Sequence, residues 1–481
     1  MENLVMMEYF EWYLPDDGNY YKELKSKARE IKESGIDALW LPPMTKATGT
    51  NDVGYGIYDL YDLGEFDQKG NVRTKYGTFD ELIEAIDALH NEGILVYADV
   101  VLNHKAGADF KETFMAAKVN EENRTEDIEE AHDIEGWTGF DFPGRGGEYS
   151  DFIWHFNHFN GVDFDDKTGE AGIYRILGEN KGWGYGVSPE HGNFDYLMFA
   201  DIDHNNEDVR NELFRWGEWF INKVPIDGIR FDALKHIDYN FIRDFIAHLN
   251  EKSDRQLYFF GEYWMLDSEL KRNYLEETGY LTDVFDTTLH FNLREASENE
   301  DYDMRNIFQG TMVYESPANA VTFVDNHDTQ PKEALESFVQ PWFKKIAYGL
   351  ILLRKDGYPC VFFGDYYEIK DPYIPGNKDI IDNLLWIRKN YAYGDETNYF
   401  EKPTCIGFVR HGNEKHPGSL AVVISTGDAD TLVMNVGADQ AGKIYKDLTG
   451  ENEAEITIDE EGNGAFEVAP GSLSAWAEKI D

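Results

Sequence analysis

Short strand-like runs, in which apolar residues alternate or stand together, recur along the chain with helical stripes between them. "LVMMEYFEW" is followed by "YYKELKSKAREIKESG", where Leu24, Ala28 and Ile31 share one helical face and Gly35 marks the stop. "IDALWLPP" precedes a stripe of Leu82, Ile86 and Leu89 in "TFDELIEAIDALHNEG", and "ILVYADVVLNH" is the third strand. The alternation then lapses from about residue 105 to residue 205, in a stretch rich in Gly, Asp, Asn and aromatic residues. It resumes with the helix "EDVRNELFRWGEWFINKV" and the strands "DGIRFDA", "LYFFGEYW", "DVFDTTL", "AVTFVDNHD" and "YPCVFFGD". Helical segments such as "WFKKIAYGLILLRKDG" and "IIDNLLWIRKNY" complete the series.

Strands alternating with helices imply a parallel sheet, and eight such units closed on themselves predict a (β/α)8 TIM barrel. The rival, an open doubly wound sheet, lacks a Gly-rich phosphate loop after any strand. The pattern places the barrel at residues 1–103 and 206–395, with an inserted domain at 104–205 after the third strand. Beyond residue 396 short strands such as "CIGFVRHG", "SLAVVISTG", "TLVMNVG" and "AFEVA" predict a C-terminal antiparallel β-sandwich domain over 396–481.

The composition is strongly acidic. Against 44 basic residues stand 92 acidic ones, a formal charge of −48. Nucleic acid and anionic membranes are excluded as partners, because both would be repelled. Aromatic and periodic apolar segments run the whole length, so the charge does not signal disorder. It reads as a halophile-like, heavily hydrated surface whose self-repulsion salt would screen. Cys360 and Cys405 are expected to be free buried thiols. The N-terminus has no apolar leader segment and no run approaches about 18 apolar residues, so a cytoplasmic monomer is expected. The alternative is a secreted protein whose signal peptide is not part of this sequence.

In a barrel of this kind the chemistry gathers at the carboxyl ends of the strands. Those ends carry Asp99 with Asn103 and His104, Arg230 with Asp232, Glu262, and the run Asp325 to Asp328. Any single carboxylate there could be a helix cap or an ion-pair partner. Three of them, Asp232, Glu262 and Asp328, stand in otherwise apolar runs, where a buried charge is costly without a role or a partner. Glycoside hydrolysis needs such a set: one carboxylate ionised for attack and one carrying a proton for the leaving oxygen. Arg230, two residues before Asp232 on the same strand face, favours an ionised nucleophile at Asp232. Phe259, Phe260, Tyr263 and Trp264 around Glu262 favour a protonated acid/base. Asp328 beside His327 suits a clamp on sugar hydroxyls. Trp12, Tyr55 and Trp264 offer flat faces to sugar rings, although core packing alone would account for each.

"DVVLNH" (99–104), "GIRFDALKH" (228–236), "GEYW" (261–264) and "FVDNHD" (323–328) resemble the four ordered regions of glycoside hydrolase family 13. "VGYGIYDLYDLGEFDQKG" and "GNFDYLMFADID" are similar to its bacterial liquefying α-amylases, and the likeness covers nearly the whole chain. The resemblance implies an endo-acting, retaining α-1,4-glucan hydrolase with Asp232 as nucleophile, Glu262 as acid/base and Asp328 as transition-state stabiliser. It implies sugar contacts from Tyr55, His104, Arg230 and His327, and leaving-group contacts from Lys235 and His236. The insertion would be the family's domain B and the tail its domain C. It also implies a structural Ca2+ held by Asn103, Asp195, Asp201 and the His236 carbonyl, oxygen ligands that suit a hard cation. Asn160 and Gly184 stand where the secreted members carry further aspartates, so one calcium is expected rather than a multi-metal cluster. This and the tail segment "PTCIGFVRHGNEKHPGSLAVV" resemble cytoplasmic relatives more closely than secreted ones. Within the family, a glucanotransferase or an oligo-1,6-glucosidase is the alternative; a non-catalytic glucan-binding member would be expected to lack one of the three carboxylates.

Overall fold

The structure is a computed structural model that describes residues 3–478. Eight parallel strands close into a barrel in strict sequence order. They are β1 (Met6–Glu8), β2 (Ala38–Leu41), β3 (Leu95–Val100), β4 (Gly228–Phe231), β5 (Tyr258–Gly261), β6 (Asp283–Phe285), β7 (Ala320–Phe323) and β8 (Tyr358–Phe362). The helices that cover the first strands form where the sequence places them. α1 (Tyr20–Ser34) buries Leu24, Ala28 and Ile31 and ends on Gly35 at φ 99°, a left-handed cap that glycine adopts without strain. α2 (Phe79–Asn91) starts on a reciprocal capping box between Thr78 and Glu81. α3 (Glu207–Lys223) follows the insertion, and α4 (Tyr239–Lys252) follows β4.

Alternation along each strand divides the interior in two. Met6, Ala38, Trp40, Tyr97, Phe260, Phe285, Val321, Phe323 and Cys360 fill the lumen. Their neighbours face the helices: Ile229 and Phe231 are fully buried, and Phe231 packs edge-on against Phe245 of α4 at 6.1 Å. Arg230 therefore points into the lumen, in register with Asp99 on β3 and Phe260 on β5.

Between β3 and α3 the chain builds a six-stranded antiparallel sheet, a regularity that its apolar pattern does not announce. Its strands run in the order His104–Lys105, Ala200–Ile202, Phe159–Asp165, Glu170–Ile176, Phe110–Lys118 and His132–Gly139. Several of them expose both faces in part, so polar residues occupy positions that a half-buried strand would give to apolar ones. Past the barrel, Glu396–Tyr399, Cys405–Arg410, Leu420–Ser425, Ser472–Glu478, Ile444–Asp447 and Glu455–Thr457 form one sheet, and Asp430–Asn435 pairs with Asn463–Val468 in another. Cys360 and Cys405 are free and buried. Among the described residues no helix is long and apolar enough to cross a membrane.

Candidate active site

The site grows from the Arg230 side chain, which is completely buried at the carboxyl end of the lumen. Its Nη1 donates to Asp232 Oδ1 at 2.8 Å and to Asp99 Oδ1 at 3.0 Å, and its Nη2 donates to Glu262 Oε2 at 2.6 Å. One guanidinium thus binds carboxylates from three successive strands, β3, β4 and β5. Its own position is set from below, where its face lies 4.9 Å from the Trp40 ring. Asp99 is held in turn by Trp40 Nε1–H and the Tyr55 hydroxyl, both donating to Oδ2 at 2.9 Å.

Such a cluster must be built of buried charge, and its protons are displaced accordingly. Burial pushes the Glu262 carboxyl up to about 7, with Arg230 pulling the other way and Asp232 and Asp99 adding repulsion. Asp328 is also raised well above the usual carboxylate range, by burial first and then by the charges of Glu262 and Asp232. The three carboxylates singled out in the sequence therefore sense one another electrostatically.

Flat surfaces line the same rim. Trp12, Tyr55 and His327 present nearly parallel rings: Tyr55 lies 5.0 Å from His327 at 7°, and Trp12 lies 5.9 Å from Tyr55 at 4°. His104 is buried, its Nε2–H donating to the Tyr55 carbonyl at 2.8 Å, and burial lowers its pKa. Trp264 stands apart from that stack, its ring 6.2 Å from His290 and 6.0 Å from Phe291. Lys235 reaches the inserted domain, its ammonium 2.9 Å from Glu190 Oε2. The ring of His236 is turned the same way: it packs edge-on against Phe194 at 4.3 Å, and its Nδ1–H donates to the Phe194 carbonyl at 2.7 Å.

The Phe194–His236 contact brings the His236 turn beside Asp195, and pairing of Asp201 with His104 brings the inserted sheet to Asn103. Here Asn103 Oδ1, Asn160 Oδ1 and Asp201 Oδ2 are buried without a hydrogen-bond partner. Asp195 Oδ2 accepts from Asn160 Nδ2 at 2.8 Å and from the Gly184 amide at 2.6 Å. Burial pushes Asp195 up to about 7, and burial with the nearby Asp195 charge also raises Asp201 well above the usual carboxylate range. Orphaned oxygens beside two crowded carboxylates fit a hard cation, which would satisfy all of them at once. Among the described residues no group of three or more His, Cys, Asp or Glu is placed to hold a metal, so the set that fits is mixed: amide, carboxylate and carbonyl oxygens. A Cβ at Gly184 would lie 2.5 Å from Asp195 Oδ1, leaving no room there for a further acidic side chain in this arrangement.

Comparison with known proteins agrees with this geometry. Residues 21–383 match the family profile described as "Alpha amylase, catalytic domain", and residues 420–477 match "Alpha-amylase C-terminal". The chain belongs to the α-amylase family. It is 49% identical over 480 residues to a glucan 1,4-alpha-maltohexaosidase of Bacillus sp. (strain 707), covering 99% of this chain and 93% of that protein. It is 46% identical to an alpha-amylase of Bacillus licheniformis, over 99% of this chain and 94% of the relative. To the cytoplasmic alpha-amylase of Escherichia coli (strain K12) it is 41% identical, with 99% of both chains covered. An Anoxybacillus alpha-amylase crystal structure shares the fold with a TM-score of 0.68 at 17% identity, covering 100% of this chain and 99% of that one. This α-amylase family member is accordingly a glycoside hydrolase.

Two groups of this amylase-family site carry no role that the sequence alone assigns. Asp99 stood at a strand end but was given no partner, and it proves to be the buried base on which Arg230 and Tyr55 rest. Glu8 closes β1 with no exposed surface, and its Oε1 lies 2.6 Å from His327 Nδ1. The signal for Glu8 was present: it follows Met6 by two residues in an apolar strand, the same offset that exposed Arg230 and Asp232.

Proposed function

We propose that the enzyme cleaves internal α-1,4 bonds of starch, glycogen or maltodextrins with retention of configuration, using Asp232 as nucleophile and Glu262 as acid/base. The observation that carries this is the shared guanidinium of Arg230, bonded at 2.8 Å to Asp232 and at 2.6 Å to Glu262. Two carboxyls held by one planar fork stay close together, as the retaining mechanism requires at a separation of about 5–5.5 Å. Asp232, on the guanidinium, is the carboxylate to attack the anomeric carbon. Glu262, made more basic by burial, donates its proton to the leaving oxygen and then takes one from the incoming water. Asp328 and His327 hold sugar hydroxyls where positive charge develops on the ring. Trp12 and Tyr55 provide the platform beneath it, His104 completes its edge, and Lys235, His236 and Trp264 flank the outgoing chain.

The proton inventory fixes a pH response. Glu262 must enter the reaction protonated, and burial places its ionisation at about 7. The kcat/KM of the free enzyme is therefore expected to fall as pH rises through about 7. A plateau of kcat/KM extending past pH 9 on a soluble maltooligosaccharide would contradict the assignment of Glu262.

We infer in addition that Asn103, Asp195, Asp201 and the His236 carbonyl bind one calcium ion, with Asn160 adjoining them. When bound, the ion supplies charge that lets Asp195 and Asp201 stay ionised, and it ties the inserted domain to the turn after β4. At a thousandfold excess over its dissociation constant it would stabilise the fold by about 4 kcal/mol. Melting scans after chelation should show a fall of several degrees that calcium restores and that Asp201→Asn abolishes. The −48 charge supports a salt-tolerant surface as well, so with calcium saturating, the same scans should rise further towards molar salt. Melting points indifferent to chelator or to salt would remove the corresponding claim. The 41% identity to a cytoplasmic relative supports a cytoplasmic setting, which fractionation of the native cell would test directly.

A further inference from the structure

His327 is fixed on every side except in the placement of its proton. Its ring lies parallel to Tyr55 at 5.0 Å and to Trp12 at 6.0 Å, with Trp40 edge-on at 5.7 Å and Phe10 at 5.0 Å. Nε2 faces Asp328 Oδ2 at 3.4 Å, and Nδ1 faces Glu8 Oε1 at 2.6 Å. The backbone N–H of His327 donates to that same Glu8 oxygen at 3.3 Å. The other oxygen, Oε2, is buried with no hydrogen-bond partner. Glu8 itself has no exposed surface and sits in register with Trp40 on β2 and Phe362 on β8.

One proton can occupy the short Glu8–His327 contact in two ways. An ionised Glu8 would accept from Nδ1–H, leaving Nε2 as a bare lone pair aimed at Asp328 Oδ2 and the sugar. A protonated Glu8 would donate to Nδ1, leaving an Nε2–H to meet Asp328 and the sugar. The surroundings decide between them. An ionised Glu8 would leave one charged oxygen buried and unpartnered, which is costly, whereas a carbonyl oxygen there costs far less. The charged and titratable groups facing Glu8, besides His327 itself, are Arg230, Asp99, Asp328, the Tyr20 hydroxyl and the Cys360 thiol. Arg230 is already committed to Asp99, Asp232 and Glu262, while Asp99 and Asp328 repel a carboxylate. Burial raises the Glu8 carboxyl well above its ordinary value and holds His327 well below its own, so both partners are neutral.

We propose that Glu8 is a positioning residue which, as a neutral carboxylic acid, donates its O–H to His327 Nδ1 and so keeps Nε2–H directed at Asp328 and the bound sugar. This rests on the reading of His327 and Asp328 as the pair that holds sugar hydroxyls. It also gives the site a second ionisation beside that of Glu262, displaced upward from the ordinary carboxylate range by burial. When the pair loses one proton, the Glu8 hydrogen passes across the short contact to Nδ1, which then donates to the carboxylate, and the Nε2 hydrogen is the one released to solvent. The imidazole stays neutral throughout, but its donor has moved from the sugar side to the Glu8 side.

Glu8→Gln tests this, because an amide N–H2 donates to Nδ1 as the acid does but cannot ionise. Full-length enzyme carrying 15N-histidine is compared with E8Q and E8L by nitrogen chemical shift, with the His327 signal assigned from its loss in H327Q. In the wild type, His327 should be the Nε2–H form at neutral pH and convert to the Nδ1–H form at alkaline pH. In E8Q it should remain Nε2–H throughout. On a maltooligosaccharide, E8Q should keep kcat/KM within about threefold at the optimum, with a shallower alkaline limb than the wild type. E8L should lose on the order of 10²-fold, mostly in kcat, the scale expected for a misplaced contact group. An Nδ1–H form in the neutral wild type, or superimposable pH profiles and tautomers for wild type and E8Q, would overturn the proposal. If E8L proves misfolded by its melting point, the E8Q comparison still decides. The histidine spectra do not depend on activity, so a failure of the glucan reading would appear separately, as a wild type without hydrolysis.

Discussion

Replacing Arg230 with methionine is expected to damage stability and activity together, and more severely than any other single change outside the reacting carboxyls. The side chain has no exposed surface, and its removal leaves Asp99, Asp232 and Glu262 crowded without their common counter-charge. Breaking a buried charge network in this way costs about 3–5 kcal/mol. Asp99 is already pushed up to about 6 by burial, with Asp232 adding repulsion that Arg230 opposes. Without the guanidinium, Asp99 and Glu262 should take up protons at neutral pH, and Asp232 should lose its fixed orientation. We expect a clear drop in melting temperature and a fall in kcat/KM of at least ~10²-fold, the scale of an ångström-level misplacement. Arg230→Lys should rescue little, because an ammonium cannot bridge two carboxylates as the planar fork does. Calorimetry and kinetics on the two variants provide the check; native-like melting with activity within tenfold of wild type would refute the role given to Arg230.

Replacing Asp232 with asparagine should separate chemistry from folding. The amide oxygen can still accept from Arg230 Nη1, now 2.8 Å from Asp232 Oδ1, so the lumen should stay packed. What is lost is the anionic oxygen that we propose attacks the anomeric carbon. Nucleophile replacements in enzymes of this logic cost on the order of 10⁵-fold or more, and kcat should carry nearly all of it. Glucan binding should persist, since the stack of Trp12, Tyr55 and His327 is untouched. Circular dichroism, affinity for a maltooligosaccharide and steady-state rates measure the three quantities independently. Substantial residual hydrolysis in a sample free of wild-type enzyme would exclude Asp232 as the nucleophile.

The parts of this site that could be read from the chain are those governed by local periodicity. The alternation Ile229, Arg230, Phe231, Asp232 already states that the charged pair shares a face, and the barrel makes that face the lumen. The apolar company of Glu262 is likewise local, and burial of its carboxyl is what displaces its proton. Contacts between distant strands have no such signature. Glu8 and His327 are 319 residues apart, and nothing in "MMEYF" or "DNHD" names the other. The sharing of Arg230 by Asp99, Asp232 and Glu262 follows from barrel closure, which sets β3, β4 and β5 side by side in a definite register. The inserted sheet escaped for a different reason: its strands are neither strictly alternating nor continuously apolar. The orientation of His236 was hidden with it, because the ring bonds to a carbonyl that the inserted segment supplies.

In the proposed reaction a glycosyl group passes first to Asp232 and then to water. Incubating the wild type with a 5-fluoro-α-glucosyl or maltosyl fluoride, which forms the covalent intermediate faster than it is released, and mapping the digest by mass spectrometry would trap that transfer. One added glycosyl unit is expected on the peptide containing Asp232, lost again on addition of a maltooligosaccharide acceptor. A label confined to another carboxylate, or no label together with a β-anomeric first product, would contradict it.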